Sequence, residues 1–242
     1  MFIQIIGSGK MGNVLAVACR DQGIEFHFMT YQGALSTGSQ PDYLKCMAKK
    51  AVMIHFGSGS ELPLALDWAT EFDIPLIQGS TSLEEPIETL LLGNEGATVV
   101  EAPNLSIPIV KFMKSFPDFA GYMGEDMDTH IVESHQAGKT DVSGTARAIA
   151  ETIDLPVDEI VSVRDTATQL ALGVPSEHAS GHAYHFLTLT GQGVEIQTTV
   201  KVHGRETYAL GAIEIAKLVL QHKEKIRGKL VYLPDIIDLL PE

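Results

Sequence analysis

Between residues 2 and 102, five short apolar runs, FIQIIG, IEFHFMT, AVMIHFG, IPLIQG and ATVVEA, alternate with segments of helical spacing. Few folds accept that order. A strand apolar on consecutive residues needs cover on both faces, and helices that cross between successive strands supply it, which predicts a doubly wound parallel sheet. The expected result is an α/β domain over residues 1–105.

Beyond residue 105 the pattern changes. A helix-like segment at 105–119 leads into the alternating runs DTHIVES and EIVSVRD, and later YHFLTLT and VEIQTTVKVHG, with one helix near 143–153 among them. This predicts a second, α+β domain over 106–205, built on a mixed or antiparallel sheet. Residues 206–221 return to helical spacing, so 206–242 is expected to complete the first domain. Trp68, Phe112, Phe116 and Phe119 have the spacing of helical core residues.

Charge narrows the partners. With 31 acidic against 17 basic residues the formal charge is −14, and no basic stripe offsets it, so nucleic acid is not an expected ligand. No apolar run approaches the roughly 18 residues of a membrane span, and the N-terminus has no leader pattern, which predicts a cytoplasmic protein. Cys19 and Cys46 match neither a disulfide framework nor a metal spacing and are expected to be core thiols.

After the first strand, GSGKMG sets Gly7, Gly9 and Gly12 in the G-x-G-x-x-G spacing, followed by a helix. In that context Gly7 permits a tight turn, Gly9 admits a pyrophosphate and Gly12 lets helix pack on strand, the Rossmann-type arrangement for a dinucleotide. An acidic residue about 20 positions later normally holds the adenosine ribose. Here the second strand ends in Thr30, Tyr31 and Gln32, with neither carboxylate nor arginine, so NADH and NADPH both stay open.

The stretch HIVESHQAGKTDVSGTARAIAETI carries the second set of candidates. It places His135 and Lys139 in the loop leaving a strand. An imidazole, with an ordinary pKa of about 6.5, suits proton donation near neutrality, and an ammonium group suits a carboxylate or developing negative charge. Ser143, Gly144 and Thr145 then open a helix, whose N-terminus favours an anion. The same residues also serve as ordinary capping, and a loop histidine or lysine is often only solvated.

This stretch resembles the signature of the dihydrodipicolinate reductases (4-hydroxy-tetrahydrodipicolinate reductases). Their pattern runs Glu-x-His, three residues, Lys-x-Asp, then Pro-Ser-Gly-Thr-Ala; here it reads ESHQAGKTDVSGTA. GSGKMG, QGSTS, APNLS and GRETYALGA also follow in the family's order, so the likeness spans nearly the whole chain. The resemblance implies reduction of a small anionic cyclic dicarboxylate by NADPH or NADH in diaminopimelate and lysine biosynthesis, by a homotetramer formed through the second domain's sheet.

By the same resemblance His135 would be the general acid and Lys139 a substrate and charge-stabilising residue. Gly144 and Thr145, with Gln136 in place of the family's second histidine, would contact substrate. Gly7, Ser8, Gly9, Lys10, Met11 and Gly12 would hold the dinucleotide phosphates. Gly79, Ser80 and Thr81, with Ala102, Pro103, Asn104 and Leu105, would line its ribose and nicotinamide end. Departures include Val142 for the family's proline and His55 for its aspartate.

Other constellations weigh less. His178, His182 and His185 have helix-like spacing that a zinc ion could use, but Gly181 interrupts the run and no fourth ligand is evident, so no metal is expected. Glu84 and Glu85 suit a helix start better than a carboxylate pair. Two other readings stay open: a different two-domain dehydrogenase, or an NAD(P)H-binding sensor without catalysis.

Overall fold

The computed structural model describes residues 1–29, 42–81, 83, 85–122 and 128–239. In chain order these form β1 (Phe2–Ile6), α1 (Lys10–Asp21), β2 (Glu25–Met29), α2 (Asp42–Met47), β3 (Ala51–His55), α3 (Leu62–Phe72), β4 (Leu76–Gln78), α4 (Ile87–Leu91), β5 (Val99–Glu101) and α5 (Ile107–Tyr122). They continue with β6 (Asp128–His135), α6 (Gly144–Thr152), β7 (Val161–Val163), α7 (Thr166–Ala171), β8 (His182–Gly191), β9 (Val194–His203), α8 (Glu206–Gln221), α9 (Lys223–Ile226), β10 (Leu230–Tyr232) and α10 (Leu233–Ile237). The chain divides into two compact units, Met1–Ile107 with Tyr208–Glu242, and Pro108–Thr207.

The first unit contains six parallel strands in the order β10-β5-β4-β3-β1-β2. Every residue of β1 and β3 is buried, as two-sided cover requires of strands apolar on consecutive residues. Phe2, Ile6, Met53, Leu76 and Val99 pack on Leu62, Leu66 and Trp68 of α3. Strand order reverses between β1 and β3, so the crevice beyond their C-terminal ends is the topological switch point.

The C-terminal segment is tied to this sheet at three places. β10 pairs with β5. Gly211 of α8 lies so close to Leu105 that a Cβ there would collide with the Leu105 carbonyl. Asp73, in the left-handed conformation that ends α3 (φ 51°), pairs with Lys223 and Arg227, each at 3.1 Å.

The second unit is a mixed four-stranded sheet, β7-β6-β8-β9, in which β7 runs parallel to β6 and the other pairs are antiparallel. Gln192 and Gly193 join β8 to β9 with φ of 53° and 79°, the positive values at both positions that a type I′ hairpin turn needs. One face buries Ile131, Leu187 and Leu189 against Phe116 of α5 and Ala146, Ile149 and Ala150 of α6. On the other face Val161, Val132, Phe186 and Thr199 align across all four strands, with Val161 56% exposed.

Two packing expectations need correction. Cys19 is buried, but Cys46 is exposed, because it stands on the outer side of the short helix α2. Phe116 is buried with Phe112 packed beside it, whereas Phe119 is 37% exposed near the end of α5. Among the described residues no helix is long and apolar enough to cross a membrane.

Candidate active site

In the first unit the glycine turn has the backbone its sequence predicts. Gly7 has φ of +103°, and a Cβ there would come within 2.7 Å of the Gly57 and Phe56 backbone. At Gly12 a Cβ would strike the Gly7 carbonyl, so both glycines are needed by the turn itself. Gly9, the N-cap of α1, differs: nothing lies within 4 Å of the position its Cβ would take. Asn13 braces the turn by donating from Nδ2 to the carbonyls of Ser8 (2.7 Å) and Gly9 (3.0 Å).

The residues present fit a dinucleotide pyrophosphate. The first turn of α1, with Lys10 and Met11, holds no acidic side chain to repel it, and space is open over Gly9 at the positive end of the helix. Next to this turn, Gly79 packs under Phe56 and Leu105, and Ser80 donates from Oγ to the Gly57 carbonyl at 2.8 Å. Thr81 is exposed. The Ala102 amide donates to the Gln78 carbonyl at 2.8 Å, and Asn104 Oδ1 accepts from the Ser106 amide at 3.0 Å, so Ala102, Pro103, Asn104 and Leu105 form an ordered turn after β5. Ala102 and Leu105 are buried. Thr30, Tyr31, Gln32 and Glu84 lie outside the described residues.

His55 is fully buried at the end of β3. Its Nδ1 pairs with Gln78 Oε1 at 2.6 Å, and its Nε2 has no hydrogen-bond partner among the described residues. Burial lowers its pKa and so keeps the ring neutral.

In the second unit the period-two alternation of β6 puts Ile131, Glu133 and His135 on one face, the face with the core. His135 is the last residue of the strand, paired with Ala183, and not a member of the following loop; the strand runs one residue further because β8 offers it a partner. Gln136 to Lys139 then form a turn closed by the Lys139 amide donating to the Gln136 carbonyl at 3.0 Å. Lys139 Nζ donates to Asp141 Oδ1 at 2.9 Å.

Glu133, with no side-chain exposure, is the centre of this site. Its burial opposes ionisation. Hydrogen bonds from His135, Arg164 and Ser162 outweigh that and bring the carboxyl down to about 2. Ser162 Oγ and Arg164 Nη2 both donate to Oε1 at 2.5 Å, while Oε2 faces His135 Nδ1. An ionised carboxylate only accepts, so the proton of that contact sits on Nδ1 and the exchangeable position of the ring is Nε2.

Beside it, His185 from β8 lies edge-on to the His135 ring, centroids 5.5 Å apart, and is 1% exposed. Burial, then the His135 ring, lowers its pKa to about 4. Its Nε2 pairs with Ser143 Oγ at 2.8 Å, and Ser143 caps α6 by accepting from the Ala146 amide at 3.0 Å. Gly144 and Thr145 are the first two residues of that helix, at the positive end of its dipole.

The predicted His135, Gln136, Lys139, Gly144 and Thr145 therefore share one unit, on the end of β6, the turn after it and the start of α6. Glu133, Arg164, Ser162 and His185 are additions. The available signal was the phase of β6, which sets Glu133 on the same face as apolar Ile131; nothing local marks Arg164. His178, His182 and His185 do not share a helix: the first ends a 3-10 turn and the others point to opposite faces of β8. His182 Nε2 pairs with Ser134 Oγ at 2.8 Å, and the His178 ring lies tilted against that of His203, centroids 4.4 Å apart.

These features define a two-unit α/β protein with a Rossmann-type first unit and, in the second, a histidine oriented by a buried carboxylate. The family model described as dihydrodipicolinate reductase, C-terminus, matches residues 109–236. A chloroplastic protein of Oryza sativa subsp. japonica, named probable 4-hydroxy-tetrahydrodipicolinate reductase 1, is 33% identical over 185 residues, 70% of this chain and 52% of that one. The chain belongs to the dihydrodipicolinate reductase family.

The matched segment spans about half the length of that Oryza protein and of two further chloroplastic relatives, from Oryza sativa subsp. japonica and Arabidopsis thaliana. The 4-hydroxy-tetrahydrodipicolinate reductase of Lawsonia intracellularis is 26% identical across 97% of this chain and 98% of its own. In fold, the dipicolinate-bound dihydrodipicolinate reductase from Paenisporosarcina sp. TG-14 superposes with a TM-score of 0.66 over 99% of both chains at 18% identity.

Proposed function

We propose that this chain reduces 4-hydroxy-tetrahydrodipicolinate, or the dihydrodipicolinate formed from it, to tetrahydrodipicolinate in the route to diaminopimelate and lysine, using NADPH or NADH. The observation that carries the reading is the Glu133–His135 contact, which commits Nδ1 to the carboxylate and leaves Nε2 to exchange a proton with a ligand. Gly7 to Gly12, Gly79 to Thr81 and Ala102 to Leu105 would hold the cofactor. A reduced nicotinamide supplies a hydride when bound.

The second unit supplies what must balance that hydride. Adding it to a conjugated cyclic imine leaves an electron pair that takes up one proton, and His135 gives that proton from Nε2. Returned to neutrality, the ring keeps its Nδ1 proton against Glu133 and recharges from water. Lys139 binds a substrate carboxylate by exchanging its partner Asp141, whose side chain is 64% exposed and readily displaced. The start of α6 at Gly144 and Thr145 seats the other carboxylate, with Gln136 beside the turn. The row Val161, Val132, Phe186 and Thr199 is the surface through which a homotetramer would assemble.

The test is a steady-state assay with both reduced cofactors against the enzymatically generated pathway intermediate. His135→Gln and Lys139→Ala are each expected to lower turnover by roughly two orders of magnitude with NAD(P)H affinity nearly intact. Saturable NAD(P)H binding with no oxidation by the wild-type chain would instead identify a nucleotide sensor.

A further inference from the structure

One guanidinium joins the separate pieces of the second unit's polar cluster. Arg164 follows β7 and donates from Nη2 to Glu133 Oε1 (2.5 Å) and to the Asp141 carbonyl (3.0 Å). Its Nε donates to the Lys139 carbonyl at 2.8 Å and its Nη1 to the Val163 carbonyl at 3.0 Å. Three of the four acceptors thus lie on the segments that carry His135 and Lys139. The planar fork of arginine reaches several directions at once, which a lysine ammonium on a flexible stem does not.

We propose that Arg164 and Glu133 are positioning residues for the proton donor: Arg164 locks the Glu133 carboxylate that sets the His135 tautomer, and simultaneously fixes the backbone of the Lys139 turn. One group then places both the acid and the cation. The inference rests on the reading of His135 as that donor. Stability alone is a poor reason for the arrangement, since a buried ion pair is often no more stabilising than apolar residues of similar volume. The division of the carboxylate is more telling. Oε1 takes two donors from the β7 side, so Oε2 has only His135 Nδ1 to serve. Gln169 adds a tie, donating from Nε2 to the His135 carbonyl at 2.8 Å.

The arrangement makes a sharp demand on the isosteric Glu133→Gln variant. Arg164 only donates, so the amide oxygen stays with Arg164 and Ser162, and the amide NH2 turns to His135 Nδ1. That nitrogen must then accept, and the neutral ring carries its proton on Nε2. Nitrogen-15 NMR of the full chain with labelled histidine reads this directly: Nδ1–H in the wild type, Nε2–H in Glu133→Gln. Adding Arg164→Met leaves only Ser162, whose hydroxyl donates or accepts, so the amide faces either way and both tautomers are expected.

Arg164→Met alone should accelerate amide hydrogen exchange over residues 136–142 while β8 and β9 keep wild-type protection. Should it not fold, Arg164→Lys, which retains the charge and loses the fork, carries the same expectation. In turnover, Arg164→Met should lower kcat by roughly one to two orders of magnitude with a smaller change in KM, the scale of a misplaced catalytic group. An Nδ1–H tautomer that persists in Glu133→Gln overturns the proposal, as does wild-type exchange of 136–142 in both Arg164 variants. Both signals come from the free protein, so a chain that shows them and reduces no imine refutes the activity while supporting the clamp.

Discussion

Each sheet has an acidic residue near the C-terminal end of a strand, and their surroundings drive the two in opposite directions. Glu101 ends β5, where burial, and secondarily the charge of Glu88, push its carboxyl up to about 7. Its Oε2 is buried without a hydrogen-bond partner among the described residues. Glu133 is more deeply buried, yet three donors bring it down to about 2. Burial does not decide the charge of these groups; the donors that reach them do.

The difference follows the two tasks. Across the first sheet His55, Gln78 and Glu101 stand in register, with His55 kept uncharged by desolvation and Glu101 protonated below about 7. Below about pH 7 the row is uncharged, which suits the dinucleotide binding proposed for the neighbouring turn. In the second sheet a fixed negative charge serves the proposed proton donor, because it orients the His135 imidazole.

Replacing each carboxylate in turn gives the widest separation. Glu133→Ala leaves Arg164, only 20% exposed, without its counter-charge, and a broken buried pair costs about 3–5 kcal/mol. Glu101→Ala removes an unsatisfied group and should cost less than about 1 kcal/mol. Urea unfolding at pH 7.5 measures both. Equal losses would mean that the donors around Glu133 contribute nothing beyond packing.

Acid should then expose the second unit in two stages. His185 has its pKa lowered from 6.5 to about 4, so the unfolded chain binds the extra proton first. Its contribution is complete above 6.5 and is lost as pH falls toward 4, up to roughly 3 kcal/mol by linkage. Glu133, lowered from 4.5 to about 2, follows: its contribution is present above 4.5 and disappears as pH falls through 2. His185→Gln should therefore flatten the dependence of the urea midpoint between pH 6.5 and 4 without removing it, because His55 and His182 are shifted in the same direction. A slope identical to wild type would show that His185 is already hydrated in the native protein.

The contrast was only half legible in the sequence. Apolar runs and the glycine turn were enough for the parallel sheet, because two-sided burial leaves a continuous pattern that survives without knowledge of neighbours. β10 was not, since three residues show no period and its existence depends on β5 being there to pair. For the site, His135 and Lys139 were visible through their chemistry and motif, but the end of β6 was misplaced because pairing with Ala183 extends it. Arg164 sits 31 residues from Glu133, and only the parallel pairing of β6 with β7 makes them neighbours. No local pattern encodes that pairing.

The smallest expected effect has the opposite pH sign and so tests the comparison from the other side. Because the Glu101 pKa is raised, folding favours its protonated form: stability from this group is complete below 4.5 and is lost as pH rises through about 7. Glu101→Gln mimics the protonated state permanently. It should raise the melting temperature by several degrees at pH 8.5 and leave it unchanged at pH 4.5. A matching gain at the lower pH would locate the benefit in the amide's own contacts, and Glu101 would then stop being the uncharged counterpart of Glu133.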